Sequence, residues 1–182
     1  EEESIHGRLV TNIFAGGTID TERSFVTGYP YMSEYRTDLP TYVSWLAGQG
    51  YYTEGGHTGY DWFYNRRNVA RYFGFDNYYF YEDRYETPGD SLMHDDEFFA
   101  DLLQLYRDHR AESDAPYFSF SVTYQNHGPY EWTYTAGEAY LTPAATGFGE
   151  ETCHVWNNYL KGVADTIDAM TQLTRGLEAL EE

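Results

Sequence analysis

A chain of 182 residues is long enough to bury one sizeable core, and its length fits one domain rather than two. Its 30 Asp and Glu against 11 Lys and Arg give a formal charge of −19, which excludes nucleic acid and anionic membrane surfaces as partners held by charge. The 20 Tyr, 11 Phe and 4 Trp exclude intrinsic disorder, and no apolar run of about 18 residues is present that could span a bilayer. Residues 8–14 (RLVTNIF) form an apolar, β-prone run that reads as a buried strand ending at a glycine turn. The following residues, Gly16-Gly17-Thr18-Ile19-Asp20, read as that turn and the start of a helix that carries a hydroxyl. Residues 40–47 predict a helix stopped by Gly48 and Gly50, and residues 51–53 a second strand. A helix over 64–73 closes at Gly74, and residues 76–81 give a further aromatic strand. Residues 95–109 place Phe98, Phe99, Leu102, Leu103 and Tyr106 on one helical face.

The clearest strand is 117–124 (YFSFSVTY), where aromatic or aliphatic residues alternate with small hydroxylated ones before Gln125-Asn126-His127-Gly128-Pro129. Residues 131–149 read as a long surface excursion, and residues 155–180 as a long amphipathic helix interrupted near Gly162 or Gly176. Alternating strands and helices predict an α/β fold with a mostly parallel central sheet and helices on both faces. Ligands of such sheets sit beyond the carboxyl ends of the strands, and Thr18, His57 and His127 all fall at that rim.

Two readings of Thr18 stand side by side. A threonine after a glycine turn and before a helix is commonly an N-cap. The same placement presents a nucleophile to a phosphate, since the glycines let backbone approach a tetrahedral oxyanion and the helix N-terminus favours negative charge. A complete capping box is missing, because Glu22 lies four residues after Thr18 where three are needed. The six His alone do not make a metal site, as no pair has the i, i+4 spacing of a helical one. Cys153 is the single cysteine, so no internal disulfide forms and the compartment stays open. The chain opens on Glu1, its first Met is Met32, and no signal peptide is recognisable. The expectation is a processed or excised piece, soluble by itself, with any membrane anchor outside it.

Three stretches together carry a family resemblance: GGTIDTERSFVTG, the run from His57 through Arg66 to Asp76, and Asn126-His127-Gly128-Pro129-Tyr130. They resemble the phosphoglycerol transferases of the lipoteichoic acid synthase type, within the alkaline phosphatase and sulfatase superfamily. The last helix, with Tyr159-Leu160, Asp165 and Asp168, resembles the one that precedes the family's final metal-binding motif. The resemblance implies a sulfatase-like fold in which residues 1–182 are an internal part of one catalytic domain, truncated at both ends. It implies that Thr18 is the nucleophile and a ligand of a divalent metal, Mn2+ by expectation, and takes up a phosphoglycerol group before passing it on. It also implies that His57, Tyr64, Arg66 and His127 bind the substrate headgroup, with Arg66 as a bidentate phosphate clamp. Tyr64 stands where well-known members carry Trp, and Gly59 where they carry an acidic residue.

The remaining metal ligands are expected outside this chain, so the piece alone is expected to be inactive and to bind manganese weakly, if at all. The implied partners are a phosphatidylglycerol-type lipid headgroup and a polyol-phosphate or glycan acceptor. The parent is expected to be membrane-anchored on the extracytoplasmic face of a bacterial membrane, and a dimer through exposed sheet edges is a further expectation. Related readings are a phosphoethanolamine transferase, whose periplasmic domains tend to be disulfide-rich, and a phosphodiesterase or sulfatase-like hydrolase. A formylglycine sulfatase needs Cys or Ser followed by x-Pro-x-Arg, and Cys153 is followed by His154-Val155-Trp156 instead. A reading of another class is a noncatalytic carbohydrate-binding or interaction module, suggested by the abundant Tyr and Trp.

Overall fold

Three short parallel strands carry the fold in the computed structural model, which describes residues 17–30, 32, 34–89 and 91–180. The expected strand over residues 8–14 lies outside the described residues. β1 (Tyr52–His57) is central, with β2 (Asn77–Tyr79) on one side and β3 (Tyr117–Val122) on the other. β1 and β3 run in register from Tyr52 opposite Tyr117 to His57 opposite Val122, so both strands end at the same rim.

The alternation along β3 sorts its side chains to two faces. Phe118 and Phe120 pack on a core of Val26, Val43, Val69 and Phe73, supplied by α1 (Thr18–Thr27), α2 (Tyr42–Gly48) and α3 (Arg66–Phe73). Tyr117 points the other way, its ring 5.3 Å from Tyr106 and 5.1 Å from His109 of α4 (Asp95–Glu112). Helices therefore lie on both faces of the sheet, as the alternating pattern predicts. α4 packs in turn against α6 (Glu150–Glu178), which the short α5 (Pro143–Thr146) precedes.

Local differences from the expected elements have local causes. α2 starts at Tyr42 rather than Pro40 because Thr41 forms a reciprocal capping box: Ser44 N donates to Thr41 Oγ1 and Thr41 N to Ser44 Oγ, both at 2.9 Å. The strand expected over 76–81 ends at Tyr79, because the chain turns into a π-helical segment (Tyr81–Tyr85) once Asp83 accepts the Phe80 N–H. α6 runs unbroken through Gly162 and Gly176. A Cβ at Gly162 would stand 2.1 Å from Asn126 Oδ1, and one at Gly176 2.3 Å from a Leu103 methyl. These glycines thus mark close approach of neighbouring chain rather than a helix break. No described helix is long and apolar enough to cross a membrane.

Candidate functional site at the carboxyl rim of the sheet

Gly17 takes the left-handed conformation at φ 85° and occupies the N-cap of α1, which makes Thr18 the first helical residue. The cap position that sequence offered to Thr18 is therefore filled by Gly17, and the Thr18 side chain is exposed at the helix N-terminus. Across from it, His57 closes β1, and the loop after β3 carries His127. Thr18, His57, Tyr64, Arg66 and His127 all line one cleft of about 530 Å³, formed where the strands end.

His57 is buried, and its Nδ1 lies 3.0 Å from the Val122 carbonyl of the neighbouring strand. Since that carbonyl can only accept, Nδ1 carries the proton and Nε2 is left as the acceptor of a neutral ring. Burial, then the charge of Arg66, push its pKa down to about 4, with His127 adding to the same effect. Gly59 matters here: a Cβ at that position would stand 2.6 Å from His57 Nε2. Any side chain at 59 would push against the imidazole, so Gly59 leaves Nε2 open.

The depressed pKa has a consequence for stability. Unfolded His57 takes up its proton near pH 6.5, while the folded ring resists until about pH 4. The unfolded state binds more protons between these values, so stability is complete above pH 6.5 and falls as pH drops, by on the order of 3 kcal/mol at the lower end. In urea titrations at pH 7, 5.5 and 4.5, wild type is expected to lose its advantage over His57→Gln by about that amount. A stability difference that stays constant across the series would refute this assignment.

His127 follows a turn closed by its own N–H on the Tyr124 carbonyl at 2.9 Å, and its ring stacks on Tyr124 at 4.8 Å between centroids. Tyr124 also lies 5.8 Å from the His57 ring, so one tyrosine stands between both imidazoles. The loop is anchored one residue earlier. Asn126 Nδ2 donates to Thr166 Oγ1 of α6 at 2.8 Å, and that hydroxyl donates to the fully buried Asp95 at 2.6 Å. Burial raises the Asp95 pKa, with the Thr166 hydrogen bond opposing.

Tyr64 and Asn65 adopt φ of 54° and 57°; for the bulky Tyr64 this is rare and costs about 1–3 kcal/mol, whereas Asn tolerates it readily. The strain is held by Asn65 N on the Trp62 carbonyl, and by Arg23 Nη2 on the Tyr64 carbonyl at 2.6 Å. The helix expected from residue 64 accordingly begins at Arg66, after this left-handed turn.

Arg66 reaches the cleft, yet both of its terminal nitrogens donate to Glu22 of α1, with Nη2 at 2.9 Å from Oε1. The pair is nearly sealed, at 9% and 11% side-chain exposure, and Arg66 Nε has no hydrogen-bond partner among the described residues. The guanidinium fork that a phosphate clamp would use is thus occupied by a carboxylate. Sequence reasoning missed Glu22 in this role, as well as Tyr124 and the Asn126 anchor. Among the described residues, no group of three or more His, Cys, Asp or Glu stands together to hold a metal ion. The described residues therefore do not build a manganese cage around Thr18.

The family model described as Sulfatase matches residues 2–182. A protein of Rhizobium meliloti (strain 1021) named for cyclic β-1,2-glucan modification is 27% identical over 177 residues, covering 92% of this chain and 27% of that protein. Among solved structures, the lipoteichoic acid synthase LtaP from Listeria monocytogenes matches with a TM-score of 0.72 at 17% identity, over 91% of this chain and 41% of its own. The Streptococcus pyogenes phosphoglycerol transferase GacH, solved with sn-glycerol-1-phosphate, matches with a TM-score of 0.65 at 20% identity, over 92% and 46%. This chain thus spans less than half the length of these proteins, and at such identities the structures share its fold.

Proposed function

The chain belongs to the Sulfatase family, and from that premise we propose that it is the nucleophile-bearing part of a phosphoglycerol transferase. The observation that carries the proposal is the convergence of Thr18, at a helix N-terminus, with His57, Tyr64 and His127 around one cleft at the sheet's carboxyl rim. Thr18 Oγ1 attacks the phosphorus of a phosphatidylglycerol-type lipid. An O–P bond forms at Thr18 as its hydroxyl gives up a proton, the bond from phosphorus to the diacylglycerol oxygen breaks, and that oxygen takes up a proton as it leaves. An acceptor hydroxyl then attacks the same phosphorus and releases Thr18.

The α1 N-terminus favours the phosphoryl oxygens through its free N–H groups and dipole. His57, neutral with Nε2 open, accepts a hydrogen bond from a hydroxyl of the glycerol headgroup. His127 binds phosphate or gives the departing oxygen its proton. Tyr64 supplies an aromatic wall. Thr18 would be one ligand of a divalent metal, Mn2+ in this reading, and such an ion would supply Lewis-acid polarisation of the phosphoryl group. The acceptor is a polyol-phosphate or glycan, and the work is done at the extracytoplasmic face of a membrane. The name of the Rhizobium relative supports a glucan acceptor.

A covalent intermediate is the direct test. The longest natural chain containing this sequence, incubated with phosphatidylglycerol and Mn2+ and quenched in acid, is expected to gain one phosphoglycerol group. Peptide mapping is expected to place it on Thr18. Release of diacylglycerol with no adduct under any quench, or an adduct on another residue, would remove Thr18 from the mechanism.

A further inference from the structure

Resting on the transferase reading, we propose that the aromatic ridge Tyr60–Trp62–Phe63–Tyr64 is the acceptor subsite, and that it takes the rings of a neutral glucan. The ridge begins on the buried Tyr81, whose ring lies 4.9 Å from Tyr60. Tyr60 stacks at 5.9 Å and 19° on Trp62, Trp62 meets Phe63 edge-on at 5.6 Å, and Phe63 lies 4.4 Å from Tyr64. Trp62 is 67% and Tyr64 55% exposed, and Phe63 and Tyr64 also line the cleft that holds Thr18. The ridge is thus continuous with the reacting end of the site.

Trp62, Phe63 and Tyr64, exposed and fixed from below by the half-buried Tyr60 and by the left-handed turn at Tyr64 and Asn65, have already lost the freedom that binding would otherwise remove. A pyranose presents a face of axial C–H groups with its hydroxyls at the edge. Such a ring lays the apolar face on an aromatic ring and keeps the edge in water. Beside the ridge stand the exposed Asn65 and Asn68, neutral carboxamides suited to hydroxyls, with Asn68 Nδ2 on Asn65 Oδ1 at 2.6 Å.

Charge decides between the two acceptor classes. At the Tyr64 end of the ridge the Arg23 guanidinium donates to the Tyr64 carbonyl at 2.6 Å, whereas at the Trp62 end Asp61, Glu82 and Asp83 gather around the guanidinium of Arg67: Arg67 pairs with Asp61 and Asp83, and the Asp61 N–H donates to Glu82 at 3.2 Å. Carboxylates are in excess there, on a chain that carries −19 overall. A polyanionic glycerol-phosphate chain would be repelled from that end of the ridge, whereas a neutral sugar polymer would not.

The test reads binding rather than turnover. Isothermal calorimetry of the full chain follows titration with neutral glucohexaoses of β-1,2, β-1,3, β-1,4 and β-1,6 linkage, and with a glycerol-phosphate hexamer. At least one neutral hexaose is expected to bind, and Trp62→Ala to weaken it by about tenfold or more, the scale of one lost ring contact. Trp45→Ala, at an exposed α2 position outside the cleft, is expected to leave binding unchanged. Circular dichroism checks that each variant is folded. No binding by any neutral hexaose, unchanged binding in Trp62→Ala, or preference for the glycerol-phosphate chain would overturn the proposal. Thr18→Ala separates the two readings. A glucan bound through Trp62 by a protein without Thr18-dependent transfer would sink the transferase and leave the sugar subsite standing.

Discussion

Thr18→Ala is expected to abolish transfer, lowering the rate of diacylglycerol release by about 10^4-fold or more, the scale of removing a covalent nucleophile. Thr18→Ser keeps an oxygen and is expected to retain measurable activity. The stability of the alanine variant makes the result decisive. If Thr18 were a cap, its removal would cost about 1 kcal/mol. The cap is Gly17, however, and Thr18 is the first residue of α1, where alanine is a good helix former. The variant should therefore melt within a degree or two of wild type while losing activity. A clear fall in melting temperature with activity retained would restore the capping role and remove the nucleophile.

Much of the fold was legible because its signals are periodic or local. The alternation in 117–124 marked β3 and sorted Phe118 and Phe120 to the core face, and the Gly17 turn marked the start of α1. The rim position of His57 and His127 followed from strand ends alone, and the structure brings both to one cleft with Thr18. Signals that depend on partners distant in sequence were not legible. Glu22 and Arg66 are 44 positions apart, and nothing in either segment announces that they pair. Gly162 and Gly176 look like breaks in α6, but what they accommodate, Asn126 and Leu103, comes from other elements. The left-handed Tyr64 carries no glycine signal, because the strain is offset by contacts to Trp62 and Arg23 rather than by its own residue type.

The Glu22–Arg66 pair gives the second large effect. Arg66→Ala leaves the Glu22 carboxylate nearly sealed and uncompensated, and breaking such a buried pair costs about 3–5 kcal/mol. For a chain of this size that corresponds to a fall in melting temperature of roughly 6–20 °C. Glu22→Ala should destabilise by a similar amount for the converse reason, while the double variant Glu22→Leu/Arg66→Met, which removes both charges and keeps apolar volume, should recover much of the loss. A loss in the double variant equal to the sum of the two single losses would mean that the pair is not coupled.

The same pair constrains how Arg66 can serve the proposed reaction. A guanidinium that gives both terminal nitrogens to Glu22 cannot also clamp a phosphate through them, so a phosphate on that fork must displace the carboxylate. Glu22→Gln keeps the size and one acceptor oxygen but removes the competing charge. If Arg66 is a phosphate clamp, that variant should bind sn-glycerol-phosphate several-fold more tightly than wild type by calorimetry, despite being less stable. If Arg66 serves only to tie α1 to α3, the affinity will not move, and recognition of the phosphate falls to the α1 N-terminus and His127.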